Sequence, residues 1–148
     1  MAKVFPVYTG ISSLLKTALT AAGAGFVDGY VPEGEAAPKN SNGSMKPFAT
    51  LILGDADTHR RGVDICGLDT ALEELDFLVI VSAETNYHMI GLIDVVRSAL
   101  IGKKPSTGSG PIAPGRGTIA MPVGSLLHPM RFNKGIGFRV SIGANVGE

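Results

Sequence analysis

The residue types best suited to chemistry stand directly after an apolar run, where Asp55, Asp57 and His59 alternate along the chain. Carboxylates and an imidazole at this spacing resemble the ligands of a divalent-metal site. A metal-dependent hydrolase needs further ligands, but His88 and His128 have no second His/Asp cluster beside them. The sequence therefore favours a polar turn whose aspartates bond the local backbone, with a metal-dependent enzyme as the alternative.

Two further motifs give weaker indications of chemistry. The glycine-rich segment 108–117 follows Lys103 and Lys104, whereas the lysine of a phosphate-binding loop comes after the glycines. Cys66 stands between Ile65 and Gly67 without an activating base, which is typical of a small buried side chain. We therefore predict no catalytic residue, no metal ligand and no cofactor, and we interpret the protein as non-enzymatic.

Charged residues without a catalytic pattern are interpreted as contacts between copies of the chain. Glu73 and Glu74 form an acidic cluster with Asp76 that is suited to pair with arginines of a neighbouring copy. The alternative is a solvated face, which is the usual role of charged runs. The predicted interface residues are Arg60, Arg61, Glu73, Glu74, Lys103, Lys104 and Arg116.

The stretch from Leu75 to Ile101 predicts a buried strand that continues into an amphipathic helix. Its first part is rich in Phe, Val and Ile, as buried strands are. Asn86 is the predicted N-cap of the helix and Gly102 its predicted end. Helical spacing of apolar residues places one set on a single face, namely Met89, Leu92, Ile93, Val96 and Leu100.

The remaining segments are predicted to cover this unit. Apolar residues recur at helical spacing from Ile11 to Ala22, which predicts a first helix with Thr9 or Ser12 as its N-cap. Strands are predicted at 26–31, 48–53, 118–127 and 136–142. We expect Gly54 to end the second of these, and Pro122 to place the third at a sheet edge or to mark a bulge in it. Segment 55–75 is left open between an extended hairpin, through Val63, Ile65 and Leu68, and a helical turn at TALEEL.

These elements predict one α+β domain spanning residues 1–148, in which two helices pack on one face of a mainly antiparallel sheet. Two segments rich in glycine and proline, at about 32–46 and 102–117, are predicted to be flexible loops, and the second is predicted to contribute nothing to the core.

Composition excludes several classes of function. Among 148 residues, thirteen basic side chains balance thirteen acidic ones, so no electrostatic signal for nucleic acid or an anionic membrane is present. No apolar stretch is long enough to suggest a membrane span or a signal peptide. The single cysteine excludes an internal disulfide and suggests a reducing compartment. A net charge of zero favours association, which is consistent with an assembling subunit.

The order and character of these segments resemble the tail terminator proteins of long-tailed bacteriophages, the minor tail protein U-like family. The resemblance covers nearly the whole chain, from the N-terminal helix and a long loop through four segments: PFATLIL, LDFLVIVSAET, NYHMIGLIDVVRSALIG and GIGFRVSIGANV. It implies an α+β fold that closes into a ring, expected to contain six copies, on the last ring of the tail tube.

Such a ring would stop polymerisation of the tube and present a surface to the head connector. The implied partners are therefore other copies of the chain, the tail tube protein and the head-tail connector protein. DNA passes through such a ring without specific binding. The implied location is the virion tail, after assembly in the host cytoplasm. The alternative is another head-to-tail joining protein, such as a neck or head-completion subunit, because it would share this fold class and composition.

Overall fold

The computed structural model describes residues 4–29, 37–63, 69–120 and 132–143. The predicted α+β class is confirmed by two helices and a five-stranded, mostly antiparallel sheet in these ranges. Neither helix among the described residues is long and apolar enough to cross a membrane. The elements in chain order are α1 (Val4–Ala21), β1 (Gly25–Asp28), β2 (Phe48–Val63), β3 (Asp69–Ala83), α2 (Asn86–Leu100), β4 (Ala113–Ala120) and β5 (Phe132–Gly143).

Strand β3 lies at the centre of the sheet, whose order is β1-β2-β3-β5-β4. It pairs antiparallel with β2 on one side and with β5 on the other. Strand β1 runs parallel to β2 at one edge, and β4 runs antiparallel to β5 at the opposite edge. The predicted edge position of the strand around residue 118 is therefore confirmed.

The core lies between one face of this sheet and the two helices. Alternate residues of β3 point into it, and Phe77 stacks on Phe138 of β5 with 5.4 Å between the ring centroids. Both helices contribute their apolar faces to the same cluster. The buried residues of α1 are Val7, Ile11, Leu15 and Leu19, and those of α2 are Met89, Leu92, Ile93, Val96 and Leu100. The face predicted for α2 is thus confirmed in full, whereas α1 ends before Ala22, which is exposed.

The helix caps differ from the prediction. Helix α1 begins at Val4, so Thr9 and Ser12 lie inside it. The Thr9 hydroxyl donates to the carbonyl oxygen of Pro6 at a distance of 3.0 Å. The N-cap of α2 is Thr85 instead of Asn86: its hydroxyl accepts the backbone N–H of His88 at 3.2 Å. Gly102 follows the C-terminus of α2 with a φ of 81°, as predicted for a terminating glycine.

Several strand boundaries differ from the prediction. Strand β2 continues past Gly54 to Val63, and TALEEL belongs to β3, so the extended hairpin is the correct alternative. Ile65 and Leu68 lie outside the described residues. The pairing register shifts between Leu53 and Ala56, which lets the strand continue through a polar stretch. At the other edge, β1 ends at Asp28, earlier than the predicted residue 31.

The segment after α2 contributes to the core, contrary to the prediction for 102–117. Ile112 is 1% exposed, and β4 begins at Ala113 instead of Thr118. The backbone N–H of Gly102 donates to the carbonyl oxygen of Ile112, and the N–H of Ile112 donates to the carbonyl oxygen of Lys103. Both donor–acceptor distances are 2.9 Å. One apolar residue in a polar segment is enough to anchor it, because backbone hydrogen bonds hold both ends of the segment together.

The other predicted loop, 32–46, is described from residue 37. Lys39 and Met45 form an antiparallel bridge around a turn, in which the side-chain Oδ1 of Asn42 accepts the backbone N–H of Ser44 at 3.0 Å. The flexibility of both loops stays a prediction.

Helix α1 touches the segment after α2 at Gly10. A Cβ atom placed on Gly10 would lie 1.8 Å from the backbone oxygen of Pro105, so only glycine permits this approach. Gly91 in α2 gives the opposite case, because a Cβ atom there would meet nothing within 4 Å.

We expect Gly10→Ala to lower the free energy of unfolding by about 1–3 kcal/mol, because the backbone of either segment must move. The matched Gly91→Ala variant should raise it by about 0.5–1 kcal/mol, since alanine favours a helix over glycine. Urea unfolding monitored by circular dichroism measures both. A Gly10→Ala variant as stable as the parent would refute the close contact.

Leu92→Asp should cost about 3 kcal/mol or more and abolish the fold, because Leu92 is 5% exposed in the core. The control is Ile90→Asp on the same helix, since Ile90 is 52% exposed and an aspartate there remains solvated. Thermal melts compare the two variants. Similar melting temperatures would show that the helix faces the sheet differently.

Candidate assembly surfaces

The predicted interface residues lie at two distant parts of the sheet and beyond helix α2. In the β2–β3 pairing, Glu73 lies opposite Thr58 and Arg60 opposite Ala71, so these backbone positions are close together. Glu74 is half-buried and takes part in an interaction within the chain, so it is not free. Lys103 and Lys104 are exposed. The side chains of Arg60, Arg61, Glu73 and Arg116 lie outside the described ones.

The candidate metal residues lie on a strand. Asp55, Asp57 and His59 belong to β2, so the predicted polar turn is wrong: hydrogen bonding to β3 continues through this segment. Their side chains lie outside the described ones, as do Cys66 and His128. Within the described residues, no group of three or more His, Cys, Asp or Glu side chains is arranged to hold a metal ion.

The two edge strands leave backbone groups directed away from the sheet. Gly25 and Gly29 donate their N–H groups to Pro47 and Leu51, so alternation along the strand directs the amide of Asp28 outward. In the described part of the chain, β1 and β4 each pair on one side only. The strand directions make β1 and β4 antiparallel to each other. The β4 edge of one copy is therefore compatible with antiparallel pairing to the β1 edge of another.

Helix α2 carries a second side-chain pattern on its solvent face. Its members recur at alternating spacings of three and four residues, and they define what we call the α2 stripe: Tyr87, Ile90, Asp94, Arg97 and Ile101. Tyr87 is 83% exposed, Ile90 52% and Ile101 40%, which is unusual for large apolar side chains in one row. Both charged members are also exposed.

The α2 stripe was not among the sequence predictions. Its signal was present as the heptad-like spacing, but the core face of the same helix has a similar period and a larger apolar content. Exposure separates the two faces, and exposure comes only from the packed structure.

Concave surfaces flank the α2 stripe at both ends. A groove of about 740 Å³ lies between the end of α1, the turn before β2 and the N-terminal half of α2. Tyr87, Ile90 and Asp94 line it, and the Glu84 carboxylate fixes the turn by accepting the N–H of Met45 at 3.2 Å. A smaller groove of about 260 Å³ lies beside Arg97 and Ile101. The stripe is thus accessible along its whole length.

Comparison with known proteins gives a fold relationship. No protein-family model matches the chain, and no curated protein matches it. Among solved structures, it is similar to a chain described as "Virion of native gene transfer agent (GTA) particle". The identity is 19%, the match covers 97% of this chain and 96% of the other, and the TM-score is 0.52. The two chains share a fold over nearly their full length.

Proposed function

We propose that this protein is a structural virion protein, and specifically a tail terminator that closes into a ring on the end of a phage-like tail tube. The observation that carries the proposal is the shared fold with a virion chain across 97% of the sequence. The resemblance of the sequence segments to tail terminator proteins narrows the proposal from virion protein to terminator.

The sheet edges supply a contact suited to ring closure. A ring requires a heterologous contact, in which two different surfaces of each copy meet and the rotation between copies closes. Strands β1 and β4 are two such surfaces at opposite ends of one sheet. Pairing of β4 with β1 of the next copy uses backbone groups, so it does not require a conserved side-chain motif. In this proposal the ring contains six copies, and its two faces bind the tube protein and the head connector.

Light scattering over a concentration series tests ring formation. We expect a species of six times 15.3 kDa, or a monomer that shifts to it as concentration rises, unaffected by a divalent-metal chelator. Adding the protein to polymerising tube protein should shorten the tubes and place rings at their ends in electron micrographs. Rings that bind a head connector but leave tube length unchanged would favour a neck or head-completion subunit.

A chelator-sensitive monomer would contradict the ring and favour the metal-dependent enzyme using Asp55, Asp57 and His59. Activity lost in Asp57→Asn would support that alternative.

The edge contact is tested separately with Asp28→Pro. Proline removes one of the two outward N–H groups of β1, the other being that of Phe26, and leaves the bonds of Gly25 and Gly29 to β2 intact. We expect the ring to be lost and the melting temperature to be nearly unchanged. Asp28→Ser is the control, because it removes the charge and keeps the N–H. Normal rings from Asp28→Pro would exclude a ring contact that uses the Asp28 amide.

A further inference from the structure

We infer that two copies of this chain associate through antiparallel pairing of their α2 stripes, a twofold contact distinct from the contact that closes a ring. The inference does not rest on the proposed function. It rests on the charge and apolar pattern of the stripe, which is complementary to itself when one helix is reversed.

The order of residues along the α2 stripe defines the register. When two copies of α2 run antiparallel and are centred between residues 95 and 96, residue n of one faces residue 191 − n of the other. Asp94 then lies opposite Arg97 of the second copy, and Arg97 opposite its Asp94. Ile90 lies opposite Ile101, again twice by symmetry. Two ion pairs are therefore flanked by two apolar contacts.

Both charged residues are available for this contact. Asp94 and Arg97 are exposed, and neither takes part in an ion pair within the described part of the chain. An ion pair between copies that is covered by Ile90 and Ile101 is less screened than one in open solvent. The charges thus set the register, while the isoleucines and tyrosines provide the apolar area.

The ends of the helices add two favourable contacts. Tyr87 lies near the N-terminus of α2 and reaches the C-terminal end of the opposed helix, where Lys103 and Lys104 are exposed. An ammonium group near an aromatic ring is favourable, and antiparallel helices oppose their dipoles. The lysines that the sequence suggested as interface residues therefore have a specific partner in this arrangement.

The size of the contact predicts a weak dimer. Two helices of about four turns bury less area than the roughly 1,600 Å² of a standard stable interface. We therefore expect association at high protein concentration, weakened by salt. The alternative is that a different protein, instead of a second copy of this chain, binds the α2 stripe.

Charge reversal within the native chain tests the ion pairs. Asp94→Arg places arginine opposite arginine twice, so sedimentation equilibrium in the Asp28→Pro background should show about tenfold or more weakening of the dimer. The double variant Asp94→Arg/Arg97→Asp exchanges the charges and should restore the parent affinity. Lys16→Glu on the exposed face of α1 is the control and should have no effect.

A double variant that stays as weak as the single variant would overturn the inference, as would a protein that remains monomeric at every concentration in that background. Because Asp28→Pro removes the proposed ring contact, loss of the ring and loss of the pair are measured independently.

Cysteine crosslinking tests the register. In a Cys66→Ser background, Ile90→Cys mixed with Ile101→Cys should form a disulfide-linked dimer under mild oxidation. Each variant alone should not, since two copies of residue 90 would lie about 16 Å apart along the helices and a disulfide needs Cα atoms within about 7 Å. Equal crosslinking of the single variants, or none in the mixture, would overturn the antiparallel register.

Discussion

The whole structure depends on the hydrogen bonding of strand β3 along both of its edges. Because β2 and β5 pair with it through most of its length, the register of the sheet is fixed from the centre outward. A slip of one residue would turn Leu75, Phe77 and Val79 away from the helices and remove the core. The positions of both edge strands, and thus of the surfaces proposed for ring closure, follow from this pairing.

The second constraint is the contact between α1 and the segment after α2. Gly10 allows the backbone of Pro105 to approach α1, and Ile112 is buried between the hydrogen bonds that hold its segment. This segment carries Lys103 and Lys104. Its attachment to the core therefore fixes two cations at the C-terminal end of the α2 stripe, where the antiparallel pair places the tyrosine of the other copy.

The two proposed contacts differ in the groups that interact and in the symmetry of the assembly they form. The β4 edge of one copy can pair antiparallel with the β1 edge of the next, and a contact between unlike edges repeats from copy to copy, which suits a ring. The α2 stripe is self-complementary in charge and shape when reversed, so it suits a twofold pair.

The sequence by itself determined the helical faces, the central strand, the alternating strand β5 and the α+β class, because periodic burial is written directly in residue order. It did not determine where β2 ends or that Ile112 is buried. Those outcomes depend on hydrogen bonds to β3 and between the two ends of the segment after α2, which residue types alone do not show. The caps at Thr9 and Ser12 were wrong because α1 begins earlier, at Val4. Asn86 was wrong because the neighbouring Thr85 can also cap α2, and the packed structure uses Thr85. The α2 stripe likewise became visible only once the tertiary structure covered one face of α2 and left the other exposed.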